Sequence, residues 1–273
     1  MGAYFRSWSH RSPQKRASVL PTERHARIGE ALRASRVVST DDLARELGVS
    51  AETIRRDLVL LERRGMLARV HGGATIALGQ AAGEEAPFAE RTGTAAEAKS
   101  RIGRAAAGLA RPGQTVVIDV GTTAVQVARA LPLDFSGIVA TCSLLVAAEL
   151  SERSGVEVLV CGGRLRAGDL ALSNSLAQAF FADLNPDIAF LGSGGVDAAA
   201  GLTDYYLDEI ATRKIILRNA TRSYVLADSS KFGLVARHRV ADLGELAGLV
   251  TEAEPPSGIR DAVTREGGVI VLP

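Results

Sequence analysis

Apolar residues recur at helical spacing in three short runs near the start of the chain. Ile28, Ala31 and Leu32 share one face of TERHARIGEALRA (residues 22–34), and Leu43, Ala44 and Leu47 form a second stripe. Ile54, Leu58 and Leu61 then stand at i, i+4 and i+7. Each run carries its own punctuation. Ser39-Thr40-Asp41-Asp42 has the form of a capping box, with Ser39 as cap and Asp42 three residues on. Gly48 closes the second helix, Val49 fills the turn and Ser50 can cap the third. Val37-Val38 reads as a short extended piece between the first two helices. After Gly65 the pattern changes: residues 66–70 and 74–76 are extended runs around His71-Gly72-Gly73, which predicts a hairpin with a glycine tip.

Two short helices joined by a glycine-bearing turn form a helix-turn-helix, and a hairpin beside it forms a wing. The third helix carries two adjacent arginines that its core cannot use. With Ile54 at zero, Arg56 lies about 200 degrees round the helix, near Glu52 and Arg63, and Thr53 and Arg55 flank that outer face. Arg56 and Thr53 are thus placed for base edges and Arg55 for phosphate, with Asp57 available to orient an arginine. Arg69 and His71 on the wing, its tip at Gly72 and Gly73, and the caps Ser39 and Ser50 complete the DNA-facing set. A solvated arginine pair on an ordinary helical hairpin is the bland alternative. The full order of helix, capped helix, glycine turn, third helix and hairpin favours DNA binding.

Residues 78–86 are small and polar and begin a linker expected over 78–92. From Lys99 onward, helical stretches alternate with the apolar runs TVVID, GIVAT, VEVLV, DIAFLG and SYVLAD. That alternation predicts a mainly parallel sheet covered by helices. The expected fold is α/β: a disordered tail over 1–21, a winged helix-turn-helix over 22–77, the linker, and an α/β effector-sensing domain over 93–273.

Open parallel sheets bind ligands at the carboxyl ends of their strands. Asp119, Gly121, Thr122 and Thr123 follow one strand and open a helix, a setting that suits a phosphate. Gly162 and Gly163, Gly195 and Asp197, and Asp228 and Lys231 stand at other strand ends; Glu209 opens a later helix. Carboxylates there can accept from sugar hydroxyls, and Lys231 can neutralise a phosphate. The bland alternatives are that Thr122 caps a helix and that each carboxylate caps a helix or pairs at the surface. The loop is neither a dinucleotide GxGxxG nor a Walker loop, which disfavours nucleotides.

Charge sharpens this division. The chain of 273 residues has a formal net charge of only +1, but residues 1–73 carry +6 and residues 74–273 carry −5. Only the first module is then expected to meet a polyanion. Cys142 and Cys161 form no metal-spaced cluster and read as buried small hydrophobes, so neither a metal nor a cofactor is expected. No apolar run is long enough for a membrane span and residues 1–21 lack the apolar centre of a signal peptide, so the expected location is cytoplasmic, with no membrane partner.

Arg24-x3-Ile28-x3-Leu32, then Ser50-x2-Thr53-Ile54-Arg55-Arg56-Asp57-Leu58 and Arg69-x-His71-Gly72-Gly73-Ala74, resemble the DeoR family of bacterial sugar-metabolism regulators. The resemblance continues through IDVGTT, the GG of CGGRLR, GGVD, Glu209 with Arg213-Lys214, and ADSSKFG. It implies a sensor domain similar to ribose-5-phosphate isomerase, a phosphorylated sugar or related effector, operator DNA as partner, and a dimer or tetramer. It also implies effector-contact positions at Cys142 and Lys214. Two departures bear on effector preference: Thr141-Cys142-Ser143 where many members have Thr-Asn, and Leu172-Ser173-Asn174-Ser175 where many have a glycine-containing loop. Two functions are weighed: a ligand-responsive regulator, most simply a repressor, and a sugar-phosphate isomerase or transferase with an accessory DNA-binding module. The winged helix-turn-helix favours the first.

Overall fold

The computed structural model describes residues 21–35, 37–63, 67–70, 72–75 and 85–273. The expected tail up to residue 20, Met66, His71, Ile76, the linker up to residue 84 and the side chain of Arg63 lie outside the described residues; Pro21, also assigned to the tail, is the first residue of a helix. The chain divides into two compact units, residues 1–80 and 81–273.

The first unit contains α1 (Pro21–Ser35), β1 (Val37–Ser39), α2 (Thr40–Leu47), α3 (Ala51–Arg63), β2 (Ala68–Val70) and β3 (Gly73–Thr75). The Ser39 side chain accepts from the amides of Asp41 and Asp42, and Gly48 ends α2 in the left-handed region at φ 66°. Ser50 accepts from the Thr53 amide at 3.1 Å and so starts α3. Ile28, Leu43, Leu47, Ile54, Leu58 and Leu61 form one core with Leu67 and Ala74. The sheet order is β1-β3-β2, all antiparallel. Gly73 is required there, because a Cβ would lie 2.0 Å from the Val38 carbonyl oxygen.

The second unit begins with α4 (Phe88–Gly93), a helix within the stretch assigned to the linker, and α5 (Ala96–Ala107). Then come β4 (Thr115–Ile118), α6 (Thr122–Ala130), β5 (Gly137–Thr141), α7 (Leu144–Leu150) and β6 (Val156–Val160). A hairpin of β7 (Arg164–Arg166) and β8 (Ala171–Ser173) precedes α8 (Ser175–Ala182) and β9 (Ile188–Leu191). Next are β10 (Gly195–Asp197), β11 (Gly201–Asp204), α9 (Leu207–Asn219), β12 (Ser223–Leu226) and β13 (His238–Ala241). The unit ends with β14 (Gly248–Val250), α10 (Ser257–Thr264) and β15 (Val269–Val271).

Seven parallel strands form its main sheet in the order β15-β14-β12-β9-β4-β5-β6. Alternate residues serve opposite faces: Val116 and Ile118 pack with α5 and α6, and Val117 packs with Phe181 and Ile216 from α8 and α9. A second, antiparallel sheet has the order β10-β11-β13. The chain leaves β4 towards β5 and β6 and returns on its other side at β9. The order of strands therefore reverses between β4 and β9, and the carboxyl ends of those two strands flank the crevice such a switch creates.

Candidate functional site

On α3 the buried stripe of Ile54, Leu58 and Leu61 fixes the rotation of the helix. Arg55 and Arg56 are consequently on the solvent side, with side chains 61% and 80% exposed. Each reaches Glu52 at 3.4 Å, one carboxylate shared by two guanidiniums. A contact of that length at the surface is worth little and is readily exchanged for a phosphate or a base. Thr53 and Ser50 share a hydroxyl contact of 2.8 Å at the helix start. Arg69 on the wing lies 3.8 Å from Glu62, and Gly72 turns at φ 82°.

Asp57 does not orient an outward arginine. It is buried and held by α1: Arg24 donates to both of its oxygens, one at 3.0 Å, and His25 Nε2 lies 3.0 Å away. Burial opposes its charge, but these hydrogen bonds prevail and keep the carboxyl below its ordinary range. The pair locks α3 to α1.

In the second unit a buried ion cluster underlies the switch point. Asp119, just past β4, accepts from Arg213 Nε at 2.5 Å and from the Gly192 amide, just past β9, at 2.9 Å. Arg213 also pairs with Asp204 and, at 3.5 Å, with Glu209 one helical turn earlier. Burial opposes the Arg213 charge, but Asp119, Asp204 and Glu209 together stabilise it. Burial pushes the Glu209 carboxyl up to about 7, with Arg213 and Arg166 only partly offsetting it.

The cluster continues outward. Arg166 bridges Glu209 and Asp169 and stacks over the Tyr206 ring at 3.7 Å. Asp169 lies 3.7 Å from Arg91, which pairs with Glu85 at 2.9 Å. An unbroken run of charges thus joins the ends of β4 and β9 to α4 and to Glu85, where the chain emerges from the linker. Five carboxylates here face three guanidiniums, so an anionic ligand needs cations or amides from outside this cluster.

Such amides exist at α6. Gly121 precedes it at φ 113°, and no side chain caps its first turn. Thr122 is buried. Lys231, the last residue of the 3-10 turn that follows β12, is half-buried. Its charge acts on both Glu85 and Lys99, a buried ammonium lowered by burial that donates to the carbonyls of Arg91 and Thr94 at 2.5 Å and 2.7 Å.

The family model described as the DeoR-like helix-turn-helix domain matches residues 24–78, and that of the DeoR C terminal sensor domain matches residues 94–253. The chain belongs to the DeoR family. It is 32% identical to the glycerol-3-phosphate regulon repressor of Escherichia coli K12, covering 89% of this chain and 95% of that one. It is 34% identical to the HTH-type transcriptional regulator GlpR of Haloferax volcanii, over 93% and 98%. A looser likeness is to ribose 5-phosphate isomerase A of Methanocaldococcus jannaschii, at 18% identity and TM-score 0.38 over 51% and 55%. This DeoR family member is thus a DNA-binding transcriptional regulator with a sensor domain, in line with the sequence reading.

The other site positions of this DeoR family sensor divide by their surroundings. The Asp197 carboxylate accepts from the amides of Ala199 and Ala200, and that of Asp228 accepts from Ser230. Gly195 packs against the Leu234 backbone, and Gly163, at φ 137°, lies against Ser173. Gly162 and Lys214 are exposed; Thr123 is half-buried. Cys142 touches Cys161. Asp204, Arg166, Asp169 and Arg91 were not among the site residues read from sequence. A signal existed for Arg213, which stands four residues after Glu209 on one helix. Arg164, Arg166, Tyr205, Tyr206, Arg237 and His238 also line an open cleft of about 440 Å³, which no local motif foretells. Among the described residues no group of three or more His, Cys, Asp or Glu is placed to hold a metal, and no helix is long and apolar enough to cross a membrane.

Proposed function

We propose that the protein is a cytoplasmic, non-catalytic repressor of a carbohydrate operon, binding paired operator half-sites as a homodimer or homotetramer and released by a phosphorylated sugar or related metabolite. The observation that carries this reading is the run of ion pairs from the switch-point crevice to Glu85. A ligand that favours one arrangement of these charges alters the segment from which the DNA-binding module hangs. The phosphate is assigned to the free amides at Gly121, Thr122 and Thr123 with Lys231 supplying positive charge; the hydroxyls lie towards Asp197 and Glu209. The name of the Escherichia coli relative fits a small phosphorylated polyol.

Sequencing the genomic fragments retained by the purified full-length chain, with and without a panel of sugar and polyol phosphates, tests this. A shared half-site motif near carbohydrate genes, depleted by at least one compound, is expected. Retained fragments without common sequence, or turnover of a panel compound, would overturn it.

A further inference from the structure

Cys142 and Cys161 are the first residues beyond the paired ends of β5 and β6, whose last register is Thr141 with Val160. Their sulfurs are 3.3 Å apart. Both side chains enter the same apolar cluster, with Val117, Ala171 and Phe181. Neighbouring strands run about 4.8 Å apart, inside the Cα window of about 4.4–6.8 Å that a disulfide accepts. Closing the sulfurs to about 2.05 Å needs movement of little more than an ångström.

We propose that Cys142 and Cys161 are an oxidative modification site: a hydroperoxide converts them to a reversible intramolecular disulfide, giving the sensor domain a second input besides its small-molecule ligand. The two thiols share one hydrogen bond, which couples the loss of either proton to the other sulfur. Either sulfur can be the nucleophile, and the chemistry is the same from both. One thiolate attacks one peroxide oxygen, the O–O bond breaks, and the departing hydroxide or alkoxide takes up the proton that thiol released. The second sulfur attacks the resulting sulfenic acid, the S–S bond forms, and hydroxide leaves with the second thiol's proton as water. Two thiols lose two electrons and one hydroperoxide is reduced, to water and water or an alcohol. A thiol reductant restores the pair by exchange.

The location gives the bond something to act on. The Cys142 carbonyl accepts from Leu172 at 2.8 Å, and Leu144 donates to the Leu170 carbonyl at 3.1 Å, so the chain after β5 is stitched to β8. Cys161 leads through Gly162 and Gly163 into β7. A disulfide therefore ties both roots of the hairpin that carries Arg166 and Asp169, the middle of the run of charges.

Full-length protein, reduced and freed of reductant, is exposed to hydrogen peroxide, then denatured and alkylated for mass spectrometry. The expected result is loss of both alkylatable thiols with loss of the mass of two hydrogens, one peptide joining residues 142 and 161, and full return with dithiothreitol. Cys142→Ser should instead accumulate oxygen adducts on Cys161. Two intact thiols, or sulfinic acids formed equally in wild type and variant, would overturn the site, and neither result depends on DNA binding. The second arm rests on the proposed repressor function: oxidation should change operator affinity at least about fivefold in wild type and not in Cys142→Ser. A quantitative disulfide without that change would overturn the input, whereas a reduced protein that ignores operator DNA contradicts the repressor reading alone.

Discussion

Arg213 and Asp119 are 94 residues apart in sequence and meet through a 2.5 Å hydrogen bond beneath the switch point of the sheet. Both are buried, and Arg213 also neutralises Asp204. Removing the guanidinium leaves two buried carboxylates uncompensated. Arg213→Met should lower sensor-domain stability by about 3–5 kcal/mol, measured by urea unfolding of the full chain. A loss below about 1 kcal/mol would mean that the cluster is solvated.

Glu209 gives the sensor domain a pH dependence of defined sign. Its folded-state value of about 7 lies above the ordinary 4.5, so the fold favours the protonated form. Its contribution to stability is complete below the ordinary carboxylate range and is lost as pH rises through about 7. Glu209→Gln, which cannot ionise, should flatten the stability profile across that window. Unfolding midpoints taken at intervals of pH check this; parallel profiles for both proteins would contradict it.

Asp57 behaves in the opposite sense in the first unit. Its carboxyl is held below the ordinary range by Arg24 and His25 against the cost of burial. The stability it contributes is present above that range and lost as pH falls through the lowered value. Asp57→Asn should unfold the module more readily at neutral pH while losing less on acidification. Circular dichroism melts at neutral and acidic pH would show whether the gap between the two proteins narrows in acid.

The outer face of α3 predicts two distinct defects in DNA binding. Arg56→Ala should cost about 1–3 kcal/mol on the operator and relax sequence preference, whereas Arg55→Ala should weaken specific and nonspecific DNA alike. Binding isotherms on operator and scrambled duplexes separate them. Unchanged affinity in both variants would remove α3 from the recognition role.

Much of this architecture was legible because its causes are local. The serines at 39 and 50, Gly48 and the three apolar stripes specify the helix-turn-helix within a few residues of each other, and the buried parallel strands announce themselves as apolar runs. The β10-β11-β13 sheet was not legible: its strands have three or four residues and exist by pairing across the fold. The short α4 is likewise anchored by Arg91 and by Lys99 from the next helix. Long-range charge was the largest gap. Asp57 stands beside Arg55 and Arg56 in sequence yet pairs with Arg24, 33 residues earlier, and the partners of Asp119 come from other strands and helices. Spacing along a chain reports neighbours on one element and says little about carboxylates brought together by a sheet.

Calorimetric titration of a sugar or polyol phosphate that depletes operator fragments into the free and the operator-bound protein tests the coupling of crevice to α3 most directly. Linkage requires operator DNA to weaken effector binding by the same factor by which effector weakens operator binding, about 5- to 150-fold. Thr122→Val and Lys231→Ala should abolish the effector isotherm while leaving operator affinity in its absence unchanged. Equal effector affinity with and without operator DNA would contradict the coupling outright.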